Sequence, residues 1–307
     1  MIGAVDIGGT KIVVGMVDTS GRVLSRLERA TEAERGPAEG LERIKDMLDQ
    51  ATAEALTGGA LMGIGIGCTG PVDPEGGTIG NVEFLPGWEG LDLAGELGRA
   101  FRVGAAIEND ADAAALGEWR WGAGKGTKSF ILVTVGTGIG AGLVLDGKLY
   151  RGVGGSHPEI GHHVIDPSGP ACFCGAHGCW ESLASGPAME RWAQAQHPQG
   201  TRKDARQICA DAERGDALAQ AAVQRTAYYL SIGLANLVTL FSPERIVLGG
   251  GLMQSFALFK DEIERTIQAN CGLVPHEKVE IVQAALGADS GLVGAACVWY
   301  SHFKSLE

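Results

Sequence analysis

The chain has 307 residues, and its 37 acidic and 25 basic side chains give a formal net charge of −12 at pH 7. This negative charge argues against nucleic acid and anionic membranes as partners. The length suits about two domains with well-buried cores. We also expect no membrane span and no targeting segment, and therefore a cytoplasmic protein, because the first strand begins at the N-terminus and long apolar runs are absent.

Two similar glycine-rich hairpins lie about 128 residues apart, counted from position 10 to position 138. Each hairpin has a strand, a glycine turn, a second strand and a turn that contains aspartate. The predicted strands are Ile2–Val5 and Ile12–Val17 in the first hairpin, and Phe130–Val135 and Ala141–Leu145 in the second. This duplication indicates two lobes of similar topology, and the alternative is two unrelated hairpins.

The segments between and after the hairpins show the alternation of helices and buried strands that is typical of α/β proteins. The predicted helices are 37–56, Leu91–Phe101, Ala111–Trp121 and most of 183–240, and the predicted strands are Met62–Gly67, Val103–Ile107 and Ile246–Leu248. A last strand and helix are predicted within 279–302. We therefore expect a smaller N-terminal α/β lobe over 1–112, completed by the helix at 290–302, and a larger α/β lobe over 113–289.

Three glycine turns, at 8–9, 136–140 and 249–251, are candidate phosphate-binding segments. The sequence lacks dinucleotide-binding and P-loop fingerprints in the context that those folds require. Glycine turns let the main chain approach phosphate oxygens closely and offer N–H donors. Asp6 and Lys11 flank the first turn, where a carboxylate can hold Mg²⁺ through water and an ammonium can neutralise phosphate. These features predict one polyphosphate ligand with Mg²⁺.

Residues 157–181 contain a candidate metal site. Three cysteines with Cys-x-Cys-x4-Cys spacing supply thiolates, which together with one histidine form a closed tetrahedral zinc set. The cysteines are Cys172, Cys174 and Cys179, and the competing histidines are His162, His163 and His177. Spacing alone does not choose among the three histidines.

The cysteines have two other interpretations. Disulfides are disfavoured because the cysteine count is odd and adjacent Cys-x-Cys residues rarely have bridging geometry. Scattered buried thiols are the second alternative, and we expect that state for Cys68, Cys209, Cys271 and Cys297. Because carboxylates flank the cluster at Glu159 and Glu181, we interpret the zinc loop as the rigid support of a polar binding surface.

The ordered set of motifs resembles the ROK family, which groups bacterial sugar kinases with sugar-responsive repressors. The motifs are Asp6-Ile-Gly-Gly-Thr-Lys11, Glu108-Asn-Asp-Ala111, Gly136-Thr-Gly-Ile-Gly140, Glu159-Ile-Gly-His162, Cys172-x-Cys-Gly-x-x-Gly-Cys-x-Glu181 and Gly249-Gly-Gly251. The chain most resembles the ATP-dependent glucokinases of that family, which carry glutamate at the position of Glu159. This resemblance implies an actin-like (ribonuclease H-like) two-lobed ATPase fold with a zinc-binding loop, a sugar cleft, and ATP on the larger lobe.

The resemblance also assigns roles to individual residues. Asp110 resembles the catalytic base, which accepts the proton of the sugar hydroxyl, and its alternative is an ordinary helix N-cap. The implied sugar contacts are Asn109, Glu159, His162 and Glu181, and the implied ATP contacts are Asp6, Gly8, Gly9, Thr10, Lys11, Gly136, Thr137, Gly138, Gly249, Gly250 and Gly251. Family spacing favours His162 as the fourth zinc ligand, with one ring nitrogen on the metal and the other toward the sugar.

The resemblance implies phosphorylation of the 6-hydroxyl of glucose by ATP with Mg²⁺, structural Zn²⁺, a place in glycolysis, and a homodimer or homotetramer. Alternatives are a fructokinase, an N-acetylhexosamine kinase, or a regulator, which needs a DNA-binding segment of about 60–80 residues before the first strand. Two departures bear on the sugar. Phe84 stands where kinases of the family often carry a sugar-binding asparagine, leaving Asn81 or Glu83 as substitutes, and His157-Pro158 is similar to the family's fructokinases.

Overall fold

The computed structural model describes residues 1–55, 59–80 and 84–304. Among them lie two five-stranded mixed sheets with the same strand order, 3-2-1-4-5, which is the duplication that the two hairpins predict. The first sheet consists of β1 (Ile2–Ile7), β2 (Lys11–Val17), β3 (Val23–Ala30), β4 (Gly63–Cys68) and β7 (Gly104–Asn109). The second consists of β8 (Phe130–Val135), β9 (Ile139–Leu145), β10 (Lys148–Leu149), β11 (Arg245–Gly249) and β12 (Glu280–Gln283), and β5 (Val72–Asp73) pairs with β6 (Thr78–Ile79).

The register of the first sheet places the candidate acidic residues at one edge. Strands β1, β4 and β7 are parallel, with Ile7 opposite Cys68 and Cys68 opposite Asn109. Since the carboxyl ends of parallel strands meet at the same edge of a sheet, Asp6 near the end of β1 lies at the same edge as the end of β7, with β4 between the two strands. Asp110, directly after β7, begins the next helix at this same edge.

Four helices pack with the first sheet, namely α1 (Pro37–Glu54), α2 (Leu93–Phe101), α3 (Asp110–Trp121) and α9 (Ser290–Phe303). Helix α9 contacts α3, β4 and β1. Glycine permits these close crossings: a Cβ atom added to Gly65 would lie 1.9 Å from the carbonyl oxygen of Ala295, and one added to Gly294 would lie 2.3 Å from that of Ala113. The helix that carries Asp110 is thereby held by backbone-level packing.

The other helices are α4 (Trp180–Ala184), α5 (Gly186–Gln196), α6 (Ala205–Glu213), α7 (Ala217–Phe241) and α8 (Lys260–Asn270). The 25-residue helix α7 is the centre of this group and contacts the other four. Trp180 is fully buried, and its indole N–H donates to the carbonyl of Tyr229 on α7 at 3.1 Å. The cysteine-rich loop, which ends at Trp180, is therefore anchored on the longest helix.

The chain divides into two compact units, one formed by Met1–Thr127, Gly142–Pro158 and Ala285–Glu307 and the other by Lys128–Ala141 and Glu159–Ala284. The lobe boundaries expected from the sequence stay a prediction. Most element bounds agree with the sequence within two residues, and the part of the predicted helix 37–56 beyond residue 55 lies outside the described residues. No described helix is long and apolar enough to cross a bilayer.

Candidate functional site

Asp110 is the first residue of α3, and the residue before it caps that helix. The side-chain oxygen of Asn109 accepts hydrogen bonds from the backbone N–H groups of Ala111 at 2.9 Å and Asp112 at 3.4 Å. The alternative that Asp110 is the N-cap is therefore wrong. The amide nitrogen of Asn109 also donates to the carbonyl of Gly70 at 3.2 Å, which fixes this turn. Asp110 is not the cap, although one of its carboxylate oxygens accepts the N–H of Ala111 at 2.8 Å.

Asp6 lies in an electrostatic environment that disfavours its charged form. Burial, followed by the nearby charge of Asp110, raises the pKa of Asp6 to about 7, although Lys11 and Arg26 act in the opposite direction. The start of α9 also approaches closely, because a Cβ atom on Gly291 would lie 2.3 Å from a carboxylate oxygen of Asp6. Two neighbouring carboxylates at the end of parallel strands would be stabilised by a divalent cation.

The first glycine turn is closed by local hydrogen bonds. The N–H of Gly8 donates to the carbonyl of Lys11 at 2.9 Å, and the hydroxyl of Thr31 donates to the carbonyl of Gly8 at 2.7 Å. The ammonium of Lys11 lies 3.3 Å from the carboxylate of Glu28, and both side chains are exposed. The turn is therefore preformed, whereas Lys11 has an acidic partner on β3.

Phe84 covers this first turn. A Cβ atom on Gly9 would lie 2.8 Å from the Cβ of Phe84, so the close approach requires glycine. Phe84 is nevertheless 59% exposed, and it presents an apolar ring beside the turn. The two predicted substitutes for the missing asparagine, Asn81 and Glu83, lie outside the described residues.

The second and third glycine turns lie side by side. Gly250 has a φ of +87°, and a Cβ atom there would lie 2.5 Å from the carbonyl oxygen of Val135. A Cβ on Gly136 would lie 3.8 Å from the backbone nitrogen of Gly251. Helix α5 adjoins them through the N–H of Gly186, which donates to the carbonyl of Gly136 at 2.8 Å. Segments 136–138 and 249–251 therefore form one continuous surface of glycine backbone that also includes Thr137.

Glu181 contacts the same surface. Its carboxylate accepts the N–H of Ile139 at 2.9 Å, and a Cβ atom on Gly138 would lie 2.4 Å from the same oxygen. Glu159, by contrast, is exposed and precedes the short helical turn Ile160–His162, where its carbonyl accepts the N–H of His162 at 3.0 Å. Gly161 in that turn packs on the carbonyl of Ile139, since its Cβ would lie 2.0 Å away.

The predicted metal ligands come together. The ligand atoms of His162, Cys172, Cys174 and Cys179 all lie within 4.8 Å of one another. The imidazole Nδ1 is 3.5 Å from the sulfur of Cys172, and the sulfurs of Cys174 and Cys179 are 3.5 Å apart. Zinc–sulfur bonds of about 2.3 Å in a tetrahedron place ligand atoms roughly 3.8 Å apart, so this donor set fits zinc.

The other two candidate histidines lie outside this cluster. The Nδ1 of His163 is 2.6 Å from the carbonyl of Ile160, and its Nε2 is 3.3 Å from the amide nitrogen of Asn236. His177 is exposed and forms a backbone bridge with Ala171. Four other cysteines, Cys68, Cys209, Cys271 and Cys297, are buried as single thiols, as the sequence predicted.

The thiols of the cluster differ in acidity. Burial raises the pKa of Cys179 to about 12, whereas the backbone N–H of Ala176 is the main cause of a lowered pKa at Cys174. Because zinc binds thiolates, loading a metal here must release protons, and Cys174 is the thiol that ionises more readily.

Sequence reasoning missed a buried ionic network around Asp110. Arg151 forms ion pairs with Glu108 and Asp112, and His157 lies 2.8 Å from the carboxylate of Asp112. Burial raises the pKa of Glu108 to about 7, against the opposing charge of Arg151. The sequence contains two signals of this network. Three carboxylates alternate within 108–112, although only one of them had a catalytic assignment, and a single arginine lies in the glycine-rich segment 147–155.

Comparison with known proteins agrees with this architecture. The fold is that of ROK sugar kinases, in the actin-like ATPase class, and the ROK family model matches residues 2–302. The chain belongs to the ROK family.

Individual relatives cover nearly the whole chain. A glucokinase of Halalkalibacterium halodurans is 32% identical over 99% of this chain and 96% of its own. The structure of a ROK hexokinase from Thermus thermophilus has a TM-score of 0.82 and 36% identity, covering 98% of both chains. A ROK family glucokinase from Streptomyces griseus, solved with glucose and AMPPNP, has a TM-score of 0.80 and 34% identity, covering 96% of this chain and 97% of that one.

Proposed function

We propose that this chain is an ATP-dependent hexokinase that phosphorylates the 6-hydroxyl of glucose. The observation that carries the proposal is the placement of Asp110, a carboxylate that begins α3 without capping it and lies beside Asp6 at the carboxyl edge of the first sheet. Near-full-length similarity to glucokinases, one of them solved with glucose and an ATP analogue, supports the choice of substrates.

In the proposed reaction Asp110 is the general base. Its carboxylate accepts the proton of the sugar's 6-hydroxyl while that oxygen attacks the γ-phosphorus. A new oxygen–phosphorus bond forms, the bond between the γ-phosphorus and the bridging oxygen breaks, and ADP leaves. Asn109 supplies the helix cap, and the N–H of Ala111, which also lies 2.8 Å from one carboxylate oxygen of Asp110, helps to orient that carboxylate.

The three glycine turns are the proposed phosphate contacts. Segments 136–138 and 249–251, which adjoin, offer the backbone of five glycines together with the side chain of Thr137. Gly8, Gly9, Thr10 and Lys11 form the third contact. Asp6 is the proposed outer ligand of the Mg²⁺ that accompanies ATP, since a cation would offset the charge repulsion between Asp6 and Asp110.

The proposed sugar contacts are Asn109, Glu159, His162 and Glu181. The amide of Asn109 has a second N–H beside the one bound to Gly70, and that N–H is the proposed donor to a hydroxyl. Glu181 has one carboxylate oxygen on the N–H of Ile139, so it would connect a sugar hydroxyl with the second glycine turn. The amide of Asn109 is buried and would discriminate among sugars, because a buried polar group that is left unpaired is costly.

Zinc is proposed as a structural ion held by Cys172, Cys174, Cys179 and the Nδ1 of His162. With all four positions filled by protein atoms, the ion would contribute folding free energy to the loop and no reaction chemistry. Binding through Nδ1 would fix the ring of His162 and direct Nε2 away from the metal. The loop would then hold the imidazole of His162 rigidly, and along the sequence this residue lies between Glu159 and Glu181.

Fructose and an N-acetylhexosamine are the two proposed candidates for a secondary substrate. Phe84 and the His157-Pro158 pair depart from the glucokinase pattern and favour fructose or an N-acetylhexosamine as a secondary substrate.

We also propose a cytoplasmic role in glycolysis and assembly into a dimer or tetramer. Light scattering that gives the monomer mass of 31.9 kDa would contradict the proposed assembly.

A panel of glucose, mannose, fructose, N-acetylglucosamine and N-acetylmannosamine, measured as ADP formation with MgATP, tests the reaction. We expect the highest kcat/KM with glucose. A protein that phosphorylates none of these sugars would refute the proposed function.

A further inference from the structure

The ionic network around Asp110 joins a distant segment to the first turn of α3. Glu108 lies two residues before Asp110 and Asp112 two residues after it, and their side chains are 6% and 0% exposed. The guanidinium of Arg151 bonds to both carboxylates, with one terminal nitrogen on each. The Nδ1 of His157 lies 2.8 Å from the oxygen of Asp112 that Arg151 also contacts.

Packing alone would not require the charged side chains of this network. Two buried carboxylates face one guanidinium, and one of them also faces an imidazole. Because ionised Asp112 accepts, the Nδ1 of His157 must carry a proton and donate. The second oxygen of Asp112 is buried without a hydrogen-bond partner among the described residues. Apolar side chains of similar volume would stabilise such a site at least as well. A guanidinium that bonds to two carboxylates, by contrast, also fixes the orientation of the groups that it joins.

The contacts restrain the segment from both ends. Arg151 begins it and His157 ends it, and the chain continues directly into Pro158 and Glu159. Three glycines, Gly152, Gly154 and Gly155, lie between these two anchors, and Gly154 and Gly155 have φ values of 64° and 77°. A glycine-rich segment has many accessible conformations, so its two end anchors determine how it lies on α3.

We propose that Arg151 and His157 are positioning residues that act through Asp110. By bonding to carboxylates on either side of Asp110, they fix the first turn of α3 and therefore the direction of the catalytic carboxylate. This inference rests on the proposed function, because it assigns a purpose to the network only if Asp110 is the base.

The test compares His157→Leu, which removes the donor, with His157→Asn, which keeps an N–H near the position of Nδ1. Arg151→Lys is a second probe that keeps the charge and loses the fork. Each substitution is made in the natural chain and in Asp110→Asn, and kcat, both KM values and the thermal midpoint are measured. His302→Leu, on α9 outside the network, is the matched control.

We expect His157→Leu and Arg151→Lys to lower kcat by roughly 10- to 100-fold, with the KM for MgATP changed less than about twofold. His157→Asn should restore most of the rate. In the Asp110→Asn background neither substitution should lower the residual rate by more than about twofold, because a residue that acts through Asp110 has nothing left to position.

Equal losses in both backgrounds would overturn the inference and show that the network only holds the fold. A His157→Asn protein as impaired as His157→Leu would also count against it. If His157→Leu does not fold, Arg151→Lys in the two backgrounds decides the question. Absence of sugar phosphorylation by the natural chain would instead refute the proposed function, and this inference with it.

Discussion

The carboxylate of Glu181 accepts the backbone N–H of Ile139 at 2.9 Å, so an acidic side chain from the start of α4 fixes the second glycine turn. This bond joins a proposed sugar contact to a proposed phosphate contact within a single side chain. A change at Glu181 should therefore affect both substrates.

We expect Glu181→Gln to raise the KM for glucose about tenfold or more and to raise the KM for MgATP by a smaller factor. The amide keeps the size of the side chain but loses the charge that makes its hydrogen bonds strong. Initial-rate kinetics with both substrates varied will measure the two effects. Glu190→Gln, on α5, is the control, and a Glu181→Gln protein with an unchanged glucose KM would remove Glu181 from the sugar site.

Asp110→Asn should lower kcat by about 10²–10⁴-fold, which is the usual contribution of a general base, while glucose affinity changes only a few-fold. Quenched assays at high enzyme concentration will measure the rate, and calorimetry will measure binding. Asp49→Asn, an exposed change on α1, is the control. Retention of more than about a tenth of the rate would exclude Asp110 as the base.

Asp6 should make the nucleotide-free protein less stable as the pH rises. Its pKa increases from 3.8 to about 7 on folding, so the folded state binds more protons than the unfolded state between these values. The free energy of unfolding therefore falls as the pH rises through this window. Asp6→Asn removes the effect, and its stability advantage should grow between roughly pH 4 and pH 8.

Urea unfolding of the Asp6→Asn and natural proteins at several pH values, without MgATP, will test this expectation. The comparison between the two proteins cancels the contribution of Glu108, whose pKa is raised to about 7 in the same direction. A stability difference that does not change with pH would show that Asp6 is not protonated in the folded protein.

Cys174→Ser should lower the zinc content from about one ion per chain and raise the KM for glucose, with a smaller effect on MgATP. The reason is that His162 loses the ion that would fix its ring. Elemental analysis and kinetics will measure both quantities, with Cys209→Ser as a control outside the cluster. Normal glucose affinity in a zinc-free protein would show that the metal only stabilises the loop and does not position His162 for the sugar.

Phe84→Asn should increase the preference for glucose over mannose by about tenfold, since an added amide can pair with a ring hydroxyl that the phenyl ring leaves unpaired. Phe84→Ala separates the gain of the amide from the loss of the ring. The ratio of kcat/KM values for the two sugars is the measurement. Equal ratios in all three proteins would show that position 84 does not contact the sugar.

Much of this organisation could be predicted because its signals are local. Cysteine spacing and the order of strands and glycine turns depend on neighbouring residues, and the predicted strand Phe130–Val135 agrees with the structure at both ends. The helix cap was harder, because Asn109 and Asp110 are both good capping residues. The choice depends on the pairing of β7 with β4 as far as Asn109, which no local pattern reveals.

The network of Arg151 and Asp112 lies beyond such reasoning for a different reason. The two residues are separated by 39 positions, and nothing in either segment names the partner. Likewise, Lys11 was assigned to phosphate from its place beside a glycine turn, and only the tertiary structure places its ammonium near Glu28. Charged residues reveal their number in a sequence but not their pairing.

The adjacent histidines of the metal loop bear on the accuracy of metal loading. A chain with His162 and His163 side by side offers an incoming ion two imidazoles, and capture by the wrong one would trap the loop one residue out of register. The ring of His163 is already held at both nitrogens, by the carbonyl of Ile160 and the amide of Asn236. If the proposed zinc ion is lost and bound again, the loop should therefore return to the same arrangement.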